Sequence, residues 1–142
     1  MDLKEDKMIL VQITILEAIG KVWKFWTKAE HITKWNNASV DWHTPRAKND
    51  LRKGGKFLYR MEAKDGSSGF DFEGVYDEVK LNELISYTLG DGRKVNIAFR
   101  TVGNLTTVEE RFEAETENSV ELQRNGWQNI LNNFKNYTET NS

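Results

Sequence analysis

The sequence predicts an α+β fold: a curved antiparallel sheet wrapped around a long C-terminal helix, with a short helical pair after the first strand. Three observations predict it. Apolar residues alternate at period two near the N-terminus and again over most of 57–114. The later alternating segments are joined by Asp65-Gly66, Asp91-Gly92 and Gly103-Asn104, turns too short for a crossover, so neighbouring strands run antiparallel and a parallel α/β fold is excluded. After Thr116 the period becomes helical, which leaves one long amphipathic element to cover the apolar face of the sheet.

Each element has its own signal. Ile9, Val11, Ile13 and Ile15 flank Gln12 and Thr14, a half-buried strand over Met8 to Leu16. Ala18, Val22, Phe25, Trp26 and Ala29 recur at three and four residues, and Ile32 and Trp35 continue that face. One bent helix or two short ones over Ile19 to Trp35 follow, weakened at the start by Gly20. Asn36 to Lys53 lacks periodicity and reads as a loop, with a short strand near Val40 to His43. Past Gly54-Gly55, one strand carries Phe57, Tyr59 and Met61 on a face, and the next carries Phe70, Phe72, Gly74 and Tyr76. After a turn at Leu81-Asn82-Glu83, Leu84 to Leu89 forms a short strand. Val95, Ile97 and Phe99 mark the next, and Thr106, Val108, Glu110, Phe112 and Ala114 the last. Val120, Trp127, Ile130, Leu131, Phe134 and Tyr137 share a helical stripe from about Ser119 to about Thr138, with Asn118 or Ser119 as N-cap.

The 142 residues suit one domain spanning 1–142. Five Trp, seven Phe and four Tyr are many large rings for that length, and they point to a core or cavity walled by aromatics. Twenty Lys and Arg against 22 Asp and Glu leave a net charge of -2, without the basic footprint of a nucleic-acid binder. The absence of Cys excludes disulfides, thiolate metal sites and cysteine catalysis. No apolar run is long enough to span a bilayer and no signal-peptide pattern precedes Met8, so a cytoplasmic protein is expected.

Motifs for chemistry are scarce. Gly54-Gly55-Lys56-Phe57 lacks the spacing and hydroxyl of a P-loop, and Gly90-Asp91-Gly92 sits in a hairpin turn rather than between strand and helix. His31 and His43 have no partner at metal-ligand spacing and read as surface histidines. Asp71, Glu73 and Asp77 read as a solvated strand face. No metal or cofactor is expected. Glu110 is the informative carboxylate, since alternation places it with Val108 and Phe112 on the inward face. It is either a mouth or ion-paired residue, or a polar anchor inside an apolar pocket. Gly126-Trp127 likewise has two readings. Gly126 lets the helix approach the sheet while Trp127 fills the core, or Trp127 is part of a cavity wall.

Several stretches together resemble the activator of heat-shock protein 90 ATPase homologue family, within the START-like (helix-grip, SRPBCC) superfamily. They are Val22-Trp23, Trp35, the run Asp50-Leu51-Arg52-Lys53-Gly54-Gly55-Lys56-Phe57, Asp65-Gly66, Phe70-Asp71-Phe72-Glu73-Gly74-Val75-Tyr76, Thr106-Thr107-Val108, Arg111-Phe112 and Gly126-Trp127-Gln128-Asn129-Ile130-Leu131. The resemblance covers nearly the whole chain and implies the helix-grip architecture. Family members often carry a proline where this chain has Ala18-Ile19-Gly20. The family's motifs are structural, and no catalytic residue is implied.

The expected function is non-catalytic binding of an apolar or amphipathic small molecule between the sheet and the C-terminal helix, a class that helix-grip relatives imply. The expected cavity is ~300 Å³ or more, lined by residues among Phe57, Tyr59, Phe72, Tyr76, Phe99, Glu110 and Trp127. It is expected to open toward Trp42 to Arg46, with Gly74 leaving space beside the sheet. The alternative is a co-chaperone-like module whose partner is a chaperone. An enzyme would have to draw on Glu110 with Tyr59 or Tyr87.

Overall fold

Residues 8–141 are described by a computed structural model. Its elements run β1 (Met8–Ile15), α1 (Ile19–Thr27), α2 (Ala29–Trp35), β2 (Trp42–Asn49), β3 (Lys56–Ala63), β4 (Gly69–Lys80), β5 (Leu84–Leu89), β6 (Lys94–Val102), β7 (Leu105–Glu113) and α3 (Val120–Thr140). The seven strands form one sheet in the order β1-β7-β6-β5-β4-β3-β2, and all neighbours are antiparallel. The first strand pairs with the last, so α1 and α2 carry the chain from one edge of the sheet to the other. Period two in the sequence becomes a buried inner face: Ile9, Val11 and Ile15 on β1, Val95, Ile97 and Phe99 on β6, Val108 and Phe112 on β7.

Helix α3 packs against β1, α1 and α2. Ser119 is its N-cap: the Oγ accepts a hydrogen bond from the Leu122 amide at 3.0 Å, worth about 1 kcal/mol. Asn118 serves the preceding loop instead, donating from its amide and side chain to Glu115. The buried Gln123 closes the connection. Its Oε1 accepts from the Glu115 amide at 2.9 Å, and its Nε2 donates to the carbonyls of Glu115 and Asn118.

The segment read as a loop from Asn36 to Lys53 contains the eight-residue strand β2. It lies on the sheet edge, where Pro45 needs no amide partner. A register shift between His43 and Arg46 breaks the alternation that would have marked it. The double glycine beyond it has a backbone role. Gly54 has φ +81, and its amide donates to the Tyr76 carbonyl at 2.8 Å. A Cβ on Gly55 would stand 2.1 Å from the Asp50 carbonyl oxygen. Only glycine fits both positions, and the turn holds β3 against β4.

Candidate functional site

The inner face of the sheet does not meet α3 along its whole length. Between β3, β4 and β5 on one side and Gln123, Gly126, Trp127 and Ile130 of α3 on the other lies a cleft of about 850 Å³. Its rim follows the end of the sheet where β3 passes to β4, β5 to β6 and β7 to α3. One flank is apolar, with Trp42 and Phe70 5.9 Å apart between ring centres. The other is charged, with Asp91, Arg93, Glu115 and Glu117.

The walls are aromatic because alternation turns Phe57 and Tyr59 of β3, Phe72 and Tyr76 of β4 and Tyr87 of β5 inward together. Phe57 lies 5.1 Å from Tyr59, 5.3 Å from Tyr76 and 4.7 Å from Tyr87 between ring centres. Trp127 stacks on Phe112 of β7 at 3.8 Å and meets the edge of Phe72 at 6.1 Å, so one indole bridges the mouth from β7 to β4. The Tyr76 hydroxyl donates to Asn49 Oδ1 at 2.5 Å. Burial raises the Tyr76 hydroxyl to about 12 and those of Tyr59 and Tyr87 well above their usual value, so all three stay uncharged near neutral pH.

Glu110 sits in the middle of the floor, paired across the sheet with Val11 and Ile97. It is 4% exposed and lines the cleft. Among the described residues it has neither an ion pair nor a hydrogen bond to its carboxylate. Desolvation pushes its carboxyl up to about 8.

The cleft brings together Phe57, Tyr59, Phe72, Tyr76, Glu110 and Trp127. Phe99 lies elsewhere. Alternation places it inward, but at the far end of β6, where α1 covers it, with Trp23 at 5.2 Å and Trp26 at 6.0 Å. The expectation for Gly74 reverses, and for Gly126 the close-packing reading gives way to the other one. A Cβ on Gly74 would meet the Phe57 ring at 2.9 Å and the Thr88 carbonyl at 2.7 Å, so the space beside Gly74 is filled by Phe57. A Cβ on Gly126 would meet nothing within 4 Å, so this glycine does not serve close packing of helix on sheet. Tyr87, Met61, Trp26, Trp35 and Ile130 also line the cleft. Tyr87 was traceable through hairpin register, since it pairs with Tyr76. Trp26 and Trp35 gave only a helical-stripe signal.

The remaining candidates have structural settings. His31 is half-buried, stacked on Phe25 at 4.1 Å and hydrogen-bonded through Nδ1 to the Tyr137 hydroxyl at 2.6 Å. It is a joint between α2 and α3 rather than a free surface histidine, and burial lowers its pKa. Asp71 faces solvent and pairs with Arg60 at 3.3 Å. Among the described residues, no three His, Asp or Glu gather as a metal site, and no helix is long and apolar enough to cross a membrane.

A curved antiparallel sheet gripping its C-terminal helix defines the helix-grip, START-like class, and this chain has that architecture. The chain belongs to the family described as Activator of Hsp90 ATPase homolog 1-like protein, whose model matches residues 18–139. It is similar to the AHSA1-like protein of Aeromonas hydrophila, at 42% identity over 92% of each chain and a TM-score of 0.84. It is also similar to a Cytophaga hutchinsonii protein of known solution structure, at 56% identity over 94% of this chain and 92% of that one, with a TM-score of 0.82. A Nitrosomonas europaea protein shares the fold at 17% identity and a TM-score of 0.81, over 95% of this chain and 96% of its own. No match was found among the curated proteins.

Proposed function

We propose that this protein binds an apolar or amphipathic small molecule, without catalysis, in the cleft between the sheet and the N-terminal half of α3. The observation that carries the reading is Gly126. A glycine inside a helix costs about 1 kcal/mol relative to alanine. Gly126 lies within α3 and lines the cleft, yet no neighbouring atom stands within 4 Å of where its Cβ would be. Packing does not require a glycine there, whereas an open cleft gains from one. The volume, about 850 Å³, falls in the range of small-molecule sites. Aromatic walls with one buried carboxyl suit an apolar body bearing a single polar group.

A neutral apolar fluorophore such as N-phenylnaphthylamine tests it. One saturable site per chain is expected, with displacement by a fatty-chain or flat aromatic compound. Gly126→Leu, which projects a side chain into the cleft, should abolish the site and leave the fold intact. A probe that finds no saturable site would remove this reading and favour a chaperone-binding role, which the family's name offers.

A further inference from the structure

Resting on that reading, we propose that the ligand is an organic cation: a protonated amine on an apolar body, with the ammonium held by Glu110 and the surrounding ring faces. Three features of the cleft point the same way. Its charged lining is Asp91, Glu110, Glu115 and Glu117 against Arg93 alone, an acidic balance. Arg93 is already engaged, donating to Asp91 at 2.8 Å and to the Glu113 carbonyl at 3.4 Å, so it is poorly placed to receive an anionic headgroup. Glu110 is buried at the floor with no counter-ion among the described residues, and Phe57, Tyr59, Phe72, Tyr87 and Trp127 surround the same space. Aromatic faces attract cations most strongly where water is excluded. An ammonium also gains a Coulomb attraction to the carboxylate, offset in part by desolvation of both charges, where a ketone or alcohol makes a single neutral hydrogen bond with the carboxyl.

The protonation state of Glu110 adds a signature. Its carboxyl, held up at about 8 by burial, is mostly neutral at pH 7, and an arriving ammonium favours the ionised form. The titratable groups around it are Tyr59 of β3, Tyr76 of β4 and Tyr87 of β5, all neutral at this pH, with Arg93, Asp91, Glu115 and Glu117 at the rim. Val11 of β1 and Ile97 of β6 pair beside it, and α3 contributes Gln123 and Trp127. Amine binding therefore releases up to one proton from Glu110.

The test is competition of decylamine, decanol and decanoate against N-phenylnaphthylamine, with calorimetry in buffers of different ionisation enthalpy. Decylamine is expected to compete about tenfold better than decanol, a difference of about 1.4 kcal/mol, and to release a proton. Glu110→Gln should bring decylamine down to the level of decanol and abolish the proton release, and a thermal melt confirms that the variant is folded. Three equal competitors, or a preference for decanoate, would overturn the inference while the cleft stands as a binding site. An amine preference that survives in Glu110→Gln would overturn the role of Glu110. Loss of saturable probe binding altogether would overturn the functional reading, and this inference with it.

Discussion

The two halves of the grip differ although one helix and one sheet build both. At the closed end α3 packs against α1 and α2, and its Leu131 and Phe134 share one core with Val22, Phe25 and Ile32 of the short helices, each 0–1% exposed. Phe134 meets Trp26 and Trp35 edge-on, at 4.8 Å in both cases. At the open end, the N-terminal half of α3 faces β3, β4 and β5 with no third layer between. Tyr59, Phe72 and Trp127 are only half-buried there. The connection from β1 to β2 explains the difference. Helices α1 and α2 cross the sheet beneath the C-terminal half of α3, filling that end with Trp and Phe, and leave the other end to the cleft. Stability is concentrated at one end, and the space that would accept a ligand at the other.

The largest expected effect breaks the closed end. Phe134→Ala should lower stability by ~3–5 kcal/mol, the range for a fully buried aromatic. Trp127→Ala removes a larger ring yet should cost only ~1–3 kcal/mol, because part of the indole faces the cleft and has few atoms to lose. Urea denaturation of both variants checks the order. A cost for Trp127→Ala equal to or above that for Phe134→Ala would mean the open end is as tightly packed as the closed one.

Glu110 sharpens the contrast through pH. Its folded-state pKa, about 8, lies above the usual carboxyl value of 4.5, so the folded protein binds the proton more tightly than the unfolded chain. Stability should therefore fall as pH rises from about 4.5 to about 8, then stay level with respect to this group. Glu110→Gln removes that loss. Water entering the cleft eases the burial of the charge, so the gain at pH 8 should be on the order of 1–2 kcal/mol and should vanish near pH 4.5. Paired melts across that range, together with carboxylate titration by NMR, measure it. A variant less stable than the parent at pH 8 would mean that the carboxylate has a cationic partner.

Most of the fold was legible because one face of most strands is buried and the other wet, which writes period two into β5, β6 and β7 and even into the edge strand β1. β2 was not legible. As a bulged edge strand it has only Thr44 fully buried, so its composition resembles a loop. Within the site, alternation indicated the face of each aromatic but not its position along the grip. Phe99 and Phe57 carry the same signal, yet Phe99 falls under α1 and Phe57 lines the cleft. Glu110 was legible as inward-facing. Whether a cation met it depended on residues distant in the chain.

The smallest effect separates two glycines that look alike in sequence. Gly74 has a neighbour in its missing side chain's place, the Phe57 ring, while Gly126 has empty space. Alanine at 74 must push Phe57 or the β5 backbone aside, and overpacking of that kind costs ~1–3 kcal/mol. Alanine at 126 meets no obstacle and removes the helical penalty of glycine, so it should raise stability by ~0.5–1 kcal/mol. The same methyl group thus has opposite signs at the two sites, and denaturant midpoints at unchanged m-value read them directly. Larger side chains extend the comparison. Gly126→Leu should keep the gain in helix propensity and bury its chain against the aromatic wall, yet leave a ligand nowhere to lie. A variant more stable than its parent and unable to bind the probe would show that Gly126 is kept at a cost in stability so that the cleft stays open. If Gly126→Ala destabilises instead, the helix must approach something at that point, and the open end is closed in solution.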